Sequence, residues 1–156
     1  MNEEKLKLVA GKFPTGVTIL TILGEDGDVH GITANSFVSI SLKPPLVGFS
    51  LMELGNFTPL IIPGMEVGIN ILSEDQKATS NRYAGVEDNS VPDEQFTMKS
   101  NCPILSGCIG WYATKVKQLI PIGDHIFVVS EILDLGESDG SPLLYYAGYK
   151  SVGKNL

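Results

Sequence analysis

The sequence predicts a mainly β domain, a barrel or a sandwich, on three observations. Residues Thr15-Gly16-Val17-Thr18-Ile19-Leu20-Thr21-Ile22-Leu23 alternate threonine with aliphatic side chains and are rich in β-branched residues, which pack well on a pleated surface. Two long strands, about Cys108 to Leu119 and His125 to Leu135, are expected on either side of Gly123-Asp124, a turn signal. Other strand-like runs recur between turns marked by Gly and Pro, and closing such strands into a barrel leaves no exposed edge. At 156 residues the chain is read as one domain spanning 1–156.

Element by element, Glu3 to Lys12 sets Leu6, Val9 and Ala10 on one side of a short helix that ends near Gly11. The first strand follows, and Glu25-Asp26-Gly27-Asp28 turns it back, because Asp-Gly tolerates positive φ. Val29 to Asn35 is the returning strand. Pro44-Pro45 punctuates the chain before a third strand over Leu46 to Leu51, and a helical turn over Thr58 to Ile62 is stopped by Pro63-Gly64. Met65 to Leu72 is a fourth strand. Ser73 to Ala84 reads as a helix with Ser73 as N-cap and Gln76 three residues on, a capping-box pattern with Glu74 and Asp75 at the positive helix end. Val86 to Asn101 is polar, contains Pro92, lacks periodicity and is expected to be a long surface loop. Leu143 to Tyr149 is a last strand-like run.

Composition narrows the function. Apolar residues make up 43% and charged residues 19%, as in an ordinary folded domain. A net charge of −7 argues against nucleic acid, whose phosphates need a basic surface. The polar start, Met1-Asn2-Glu3-Glu4-Lys5, does not resemble a signal peptide, and no apolar run approaches the roughly 20 residues of a membrane span. The expectation is a cytoplasmic protein with no membrane partner. Cys102 and Cys108 are read as reduced thiols in or near a strand, although a disulfide across their loop is conceivable. With His30 and His125 as the only histidines, no metal-ligand spacing is recognisable.

Two segments combine groups that recognise a ligand. Gly31-Ile32-Thr33-Ala34-Asn35-Ser36-Phe37-Val38-Ser39-Ile40-Ser41 mixes hydroxyl, amide and backbone groups with aliphatic residues at a strand end. Such a segment can bond the polar edge of a planar ring while apolar residues pack its face; it can equally be a turn bonded to its own backbone. Gly123-Asp124-His125 either presents an imidazole to a ligand or is a hairpin turn with a surface histidine. No paired carboxylates, nucleophile elbow or Gly-rich phosphate loop is present, so no catalytic acid, base or nucleophile is assigned.

Taken in order, several segments resemble the flavin reductase family, which includes the small reductase components of two-component flavin monooxygenases. They are Phe13-Pro14-Thr15-Gly16-Val17-Thr18, Gly31 through Val47, Gly68-Ile69-Asn70-Ile71-Leu72 with Gln76, Arg82-Tyr83-Ala84, Pro103-Ile104-Leu105, Gly123-Asp124-His125 and Pro142-Leu143-Leu144-Tyr145-Tyr146. The resemblance implies an FMN-binding split β-barrel, a six-stranded antiparallel Greek-key barrel with short flanking helices, acting as a homodimer. It implies an NAD(P)H:flavin oxidoreductase that binds FMN, or alternatively FAD, and passes hydride from NADH or NADPH to the flavin for a partner monooxygenase. The flavin ring would rest on Thr33, Ala34, Asn35 and Ser36, with Ser39 and Ser41 along the phosphate or ribityl side. Ser50, Leu51, Asn56, Phe57 and Thr58 would complete the pocket. Arg82, the only arginine, would pair with flavin phosphate or else form a surface salt bridge. His125 and Tyr149 would meet the nicotinamide.

Two departures from the family pattern stand out. The loop after the third strand reads Leu54-Gly55-Asn56-Phe57-Thr58, where a Ser-x-Thr or Ser-x-Ser pair is common, and Ala147 occupies a place often held by Arg. They motivate a second expectation, a flavoredoxin-like FMN electron carrier working with a protein redox partner. A third is a flavin-free β-barrel ligand-binding or interaction module.

Overall fold

The two long runs near the C-terminal end form the middle of the sheet. In the computed structural model, which describes residues 1–86 and 94–152, β9 (Gly110–Ile122) and β10 (His125–Glu137) pair antiparallel along their length. They turn at Gly123-Asp124, with Gly123 at φ 62°. Around them lie β2 (Thr18–Leu23), β3 (Val29–Ala34), β4 (Val38–Leu42), β5 (Pro45–Met52) and β6 (Glu66–Ile71). The order across the sheet is β3-β2-β6-β9-β10-β5-β4, and every pairing is antiparallel.

The two edges, β3 and β4, are consecutive in the chain and separated only by residues 35–37. Four Cα steps reach about 14 Å at most, whereas the edges of a flat seven-stranded sheet would stand roughly 29 Å apart. The sheet must therefore curl until its edges nearly meet. This is the split barrel that the resemblance implies, with seven hydrogen-bonded strands. The joint is pinned by one side chain: Ser36 Oγ donates to the Ser50 carbonyl at 2.9 Å and accepts from the Ser50 N–H at 3.0 Å.

Inside the curl, Leu20, Ile22, Val47, Phe49, Leu51, Val67, Ile69, Val116 and Val128 form the main core. Val17, Ile19, Leu72, Leu105 and Leu143 form a second cluster. Strand β2 contributes to both, which is why Thr18 through Ile22 are all buried. The buried polar side chains of β2 and β6 are matched: Thr18 Oγ1 donates to the Ala34 carbonyl at 2.8 Å and Thr21 Oγ1 to the Gly68 carbonyl at 3.3 Å. Asn70, fully buried, donates to the Ile19 carbonyl (2.9 Å) and Thr21 Oγ1 (3.1 Å), and its Oδ1 accepts from the Leu105 N–H at 2.8 Å. This ties β8 (Cys102–Leu105) to the barrel.

Several elements differ from expectation. The segment read as a long loop contains β7 (Phe96–Lys99), which pairs with β8 across a turn with Ser100 at φ 46° and Asn101 at φ 62°. Strand β7 alternates apolar and polar residues over only four positions and is mostly exposed, so the polar segment before it hid the signal; residues 87–93 lie outside the described residues. Strand β4 is also mostly exposed and was legible only as part of a polar cluster. The helix expected from Ser73 starts as a 3-10 turn over Glu74–Gln76, and only α2 (Lys77–Tyr83) is α-helical. The capping contact is present: Gln76 Oε1 accepts from the Ser73 N–H at 3.1 Å. The last run is a hairpin, β11 (Leu143–Tyr145) and β12 (Tyr149–Ser151), turned at Ala147 (φ 49°) and Gly148 (φ 110°), and the short β1 (Thr15–Gly16) pairs with β11. Helix α1 (Glu3–Ala10) forms where expected but buries none of its residues. Both cysteines are free and buried, and burial pushes the Cys102 thiol up to about 11.

Replacing Asn70 by Ala leaves the Leu105 N–H and the Ile19 carbonyl without their side-chain partner. The expected loss in a urea titration is about 2–4 kcal/mol, with the m-value unchanged.

Candidate functional site

The segment that closes the barrel also forms the floor of a concave region. Thr33 Oγ1 donates to the Ser80 carbonyl on α2 at 2.6 Å, and the Ala34 carbonyl accepts from Thr18 Oγ1 at 2.8 Å. Ser36 is held by β5, and the Phe37 ring stacks on Tyr112 with centroids 5.5 Å apart. Within this anchored stretch the Asn35 side chain is exposed.

Three adjoining concavities meet here. One of about 330 Å³ is lined by Val17, Thr33, Asn35, Ala84, Tyr145 and Tyr149. A second, about 540 Å³, shares Val17 and Asn35 and extends along residues 13–18 and 35–38. In it Thr15 Oγ1 is buried without a hydrogen-bond partner. The third, about 440 Å³, shares Thr33 and Ala84 and continues past Gly31, Asn56, Phe57 and Tyr83. Mostly apolar walls with a few converging polar groups suit a planar heteroaromatic ligand with a polar edge, and the volumes are of the right order.

Of the residues predicted from sequence, Thr33, Asn35, Ser36, Asn56, Phe57 and Tyr149 line these concavities, and Ala34 lies between them on β3. Tyr149 is well fixed: its hydroxyl meets Ser80 Oγ at 3.0 Å, and its ring packs edge-on against Tyr145. Leu51 has its side chain in the core. Ser50 meets the site through its backbone contact with Ser36. Ser39 is exposed on β4, and the Ser41 hydroxyl donates to the Pro44 carbonyl. Thr58 Oγ1 donates to the Met52 carbonyl at 2.6 Å, which shapes the 52–58 loop.

His125 opens β10 directly opposite Met52, and the Glu53 N–H bonds the Asp124 carbonyl at 3.0 Å. The histidine therefore shares one barrel end with the 52–58 loop and does not line the three concavities. Its Nδ1 lies 2.6 Å from Asp124 Oδ1, and this contact holds the Asp124 carboxyl below its usual range. Arg82 Nη1 pairs with Glu94 Oε2 at 3.0 Å; the Glu94 side chain is only 7% exposed. Burial, followed by the nearby Glu94 carboxylate, pushes the Tyr83 phenol up to about 12.

Thr15, Val17, Tyr83, Ala84 and Tyr145 entered the sequence reading only as part of the resembling segments and His30 only as a histidine; none was assigned to the site, and they come from four separate chain regions. The one local trace is Gly31, where a Cβ would come within 2.8 Å of the Tyr83 ring, so that position requires glycine for close approach.

A family model described as the flavin reductase like domain matches residues 10–153. An NADH-dependent flavin reductase of a Rhodococcus species is 38% identical over 146 residues, covering 92% of this chain and 82% of that protein. The NADH-dependent flavin reductase StyB of Pseudomonas fluorescens is 33% identical over 138 residues, 86% of this chain and 81% of that one. Among solved structures, flavin reductase PheA2 in its native state aligns with a TM-score of 0.92 at 34% identity, over 99% of this chain and 100% of that one.

The Tyr83 shift has a measurable sign. Between the unperturbed 10.0 and about 12 the folded chain keeps a proton that the unfolded chain has lost, so stability falls as pH rises through that window. Tyr83→Phe is expected to flatten this part of the profile, read as the urea midpoint against alkaline pH.

Proposed function

The chain belongs to the flavin reductase-like domain family, and on that premise we propose that it is an NAD(P)H-dependent flavin oxidoreductase that supplies reduced flavin to a partner monooxygenase. The observation that carries the reading is the convergence of three concavities on the anchored backbone of residues 33–36. The flavin ring rests there. Thr33, Ala34 and Asn35 face its pyrimidine edge, Val17 and Tyr145 supply apolar walls, and the unpartnered Thr15 hydroxyl offers a further polar contact. FMN is the expected flavin and FAD the alternative; the donor is NADH or NADPH.

When bound, the flavin supplies a hydride acceptor at N5, and the nicotinamide supplies the hydride. The protein's share is geometry. No side chain has to move a proton in that step, and among the described residues the concavities are lined by no carboxylate. Tyr149, held by Ser80, closes one side of the ring site and limits water there. His125, held by Asp124 at the edge of the 52–58 loop, orients the nicotinamide carboxamide. Bringing both rings to contact distance accounts for most of the acceleration. The working form is a homodimer in the cytoplasm, with a monooxygenase as physiological acceptor.

Anaerobic stopped-flow absorbance near 450 nm, mixing FMN-loaded protein with NADH, tests the activity. Bleaching faster than that of free flavin is expected; flavin that binds but stays oxidised would favour an electron carrier. His125→Ala is expected to lower kcat/KM for NADH by about tenfold or more, with flavin affinity unchanged. Unaltered kinetics in that variant would remove His125 from the nicotinamide site.

A further inference from the structure

We propose that Ser80 and Lys77, on one face of α2, are positioning residues for hydride transfer that act through Tyr149. The proposal rests on the flavin reductase reading. It assigns the support that stands behind one wall of the ring site.

Tyr149 lines the 330 Å³ concavity, whereas Ser80 and Lys77 are not among its lining residues. The strand that carries Tyr149 does little to orient it. β12 has three residues and pairs with β11, also three residues long, which is held in turn by the two residues of β1. A hairpin this short is marginal by itself. The direction of the Tyr149 ring is therefore set by contacts from outside its strand.

Ser80 supplies the first of them. It is fully buried, and it makes two contacts that lead to the ring site. Its carbonyl accepts from Thr33 Oγ1 at 2.6 Å, and its hydroxyl meets the Tyr149 hydroxyl at 3.0 Å. Thr33 on β3 and Tyr149 on β12 belong to different sheets, so no shared ladder fixes the distance between them. Ser80 joins the two, and a flavin ring between floor and wall inherits the spacing it sets.

Lys77 supplies the second. It lies three residues before Ser80, on the same face of the helix. Its Nζ stands 5.9 Å from the centre of the Tyr149 ring, within the range where an ammonium is attracted to an aromatic face. Among the described residues Lys77 forms no ion pair, so no carboxylate competes for that charge. The hydroxyl contact fixes one end of the tyrosine and the ammonium fixes its tilt, while Tyr145 packs edge-on.

The charge has a second effect. When hydride leaves the nicotinamide, the donor gains a positive charge and the neutral flavin becomes an anion. A ring packed on Tyr149 lies roughly 10 Å from the Lys77 ammonium, close enough for a modest, salt-sensitive bias toward the reduced form. In a chain of net charge −7 this cation opposes the surrounding field.

The test uses full-length protein loaded with FMN. Wild type is compared with Ser80→Ala, Tyr149→Phe and the double variant, and with Lys77→Met and Lys77→Arg. Anaerobic stopped flow at varied NADH separates the limiting rate of flavin reduction from half-saturation. Fluorescence titrations give the affinities for oxidised and for reduced FMN. Ser80→Ala and Tyr149→Phe are each expected to lower the limiting rate about fivefold, with oxidised FMN bound as in wild type. The double variant should be no slower than either single one, because both remove the same contact. Multiplied losses in the double variant, or unchanged rates in the singles, overturn the role of Ser80. Lys77→Met is expected to weaken reduced FMN about threefold relative to oxidised FMN, an effect that shrinks in about 0.5 M salt. Lys77→Arg should restore the ratio; an unchanged ratio in Lys77→Met overturns the role of Lys77. If Ser80→Ala does not fold, Tyr149→Phe and the Lys77 pair carry the test. Variants that match an active wild type remove the positioning role alone. A wild type whose bound FMN is not reduced by NADH removes the reductase reading, and the affinity ratios still decide on Lys77.

Discussion

The structure depends on a distance that three residues must cross. Strands β3 and β4 end up at opposite edges of one sheet, yet only residues 35–37 connect them. A flat sheet cannot satisfy that link, because the edges would stand about twice as far apart as the chain can reach. Coiling satisfies it, and the native right-handed twist of strands already bends the sheet in that sense. The two-way contact between Ser36 and the Ser50 backbone then holds the seam.

The same constraint makes the site. A segment stretched across a seam cannot pair its whole backbone in a ladder, so polar groups accumulate where the sheet opens. Thr33 is fastened to Ser80, Ala34 to Thr18, Ser36 to Ser50 and Phe37 to Tyr112, so the wall they form is rigid before any ligand arrives. The β11–β12 hairpin is coupled to it through Ser80 and Tyr149. Preorganisation of this kind suits a reaction whose difficulty lies in bringing two rings together.

Charge plays a smaller part than shape. The chain carries a net −7, and its single arginine is drawn to a nearly buried glutamate. Asp26 and Asp124 each hold a histidine at a turn next to the barrel. Arg82 is therefore already paired and Lys77 lies over the Tyr149 ring, so dipoles, hydroxyls and aromatic faces are left to sort ligands.

Much of the architecture was written locally. The β-branched run 15–23, the Asp26-Gly27 turn, the two long C-terminal strands and the capping contact from Gln76 to Ser73 are all visible in one dimension, because period, turn chemistry and caps act between near neighbours. Thr33 through Ser36 were legible as a ligand segment for the same reason: the small polar groups are contiguous. Strands β4 and β7 were not, since each alternates over only four or five residues inside a longer polar segment and buries little of its apolar face. The sequence alone determined the class of fold, the turns that shape it and the segment on which the site is built. Only the tertiary structure decided that Arg82 turns to Glu94, that His125 sits beside the 52–58 loop, and that His30, Phe57 and Tyr83 line one concavity. Those choices depend on which distant strands become neighbours once the seam closes, and no local pattern encodes the partner a side chain meets across it.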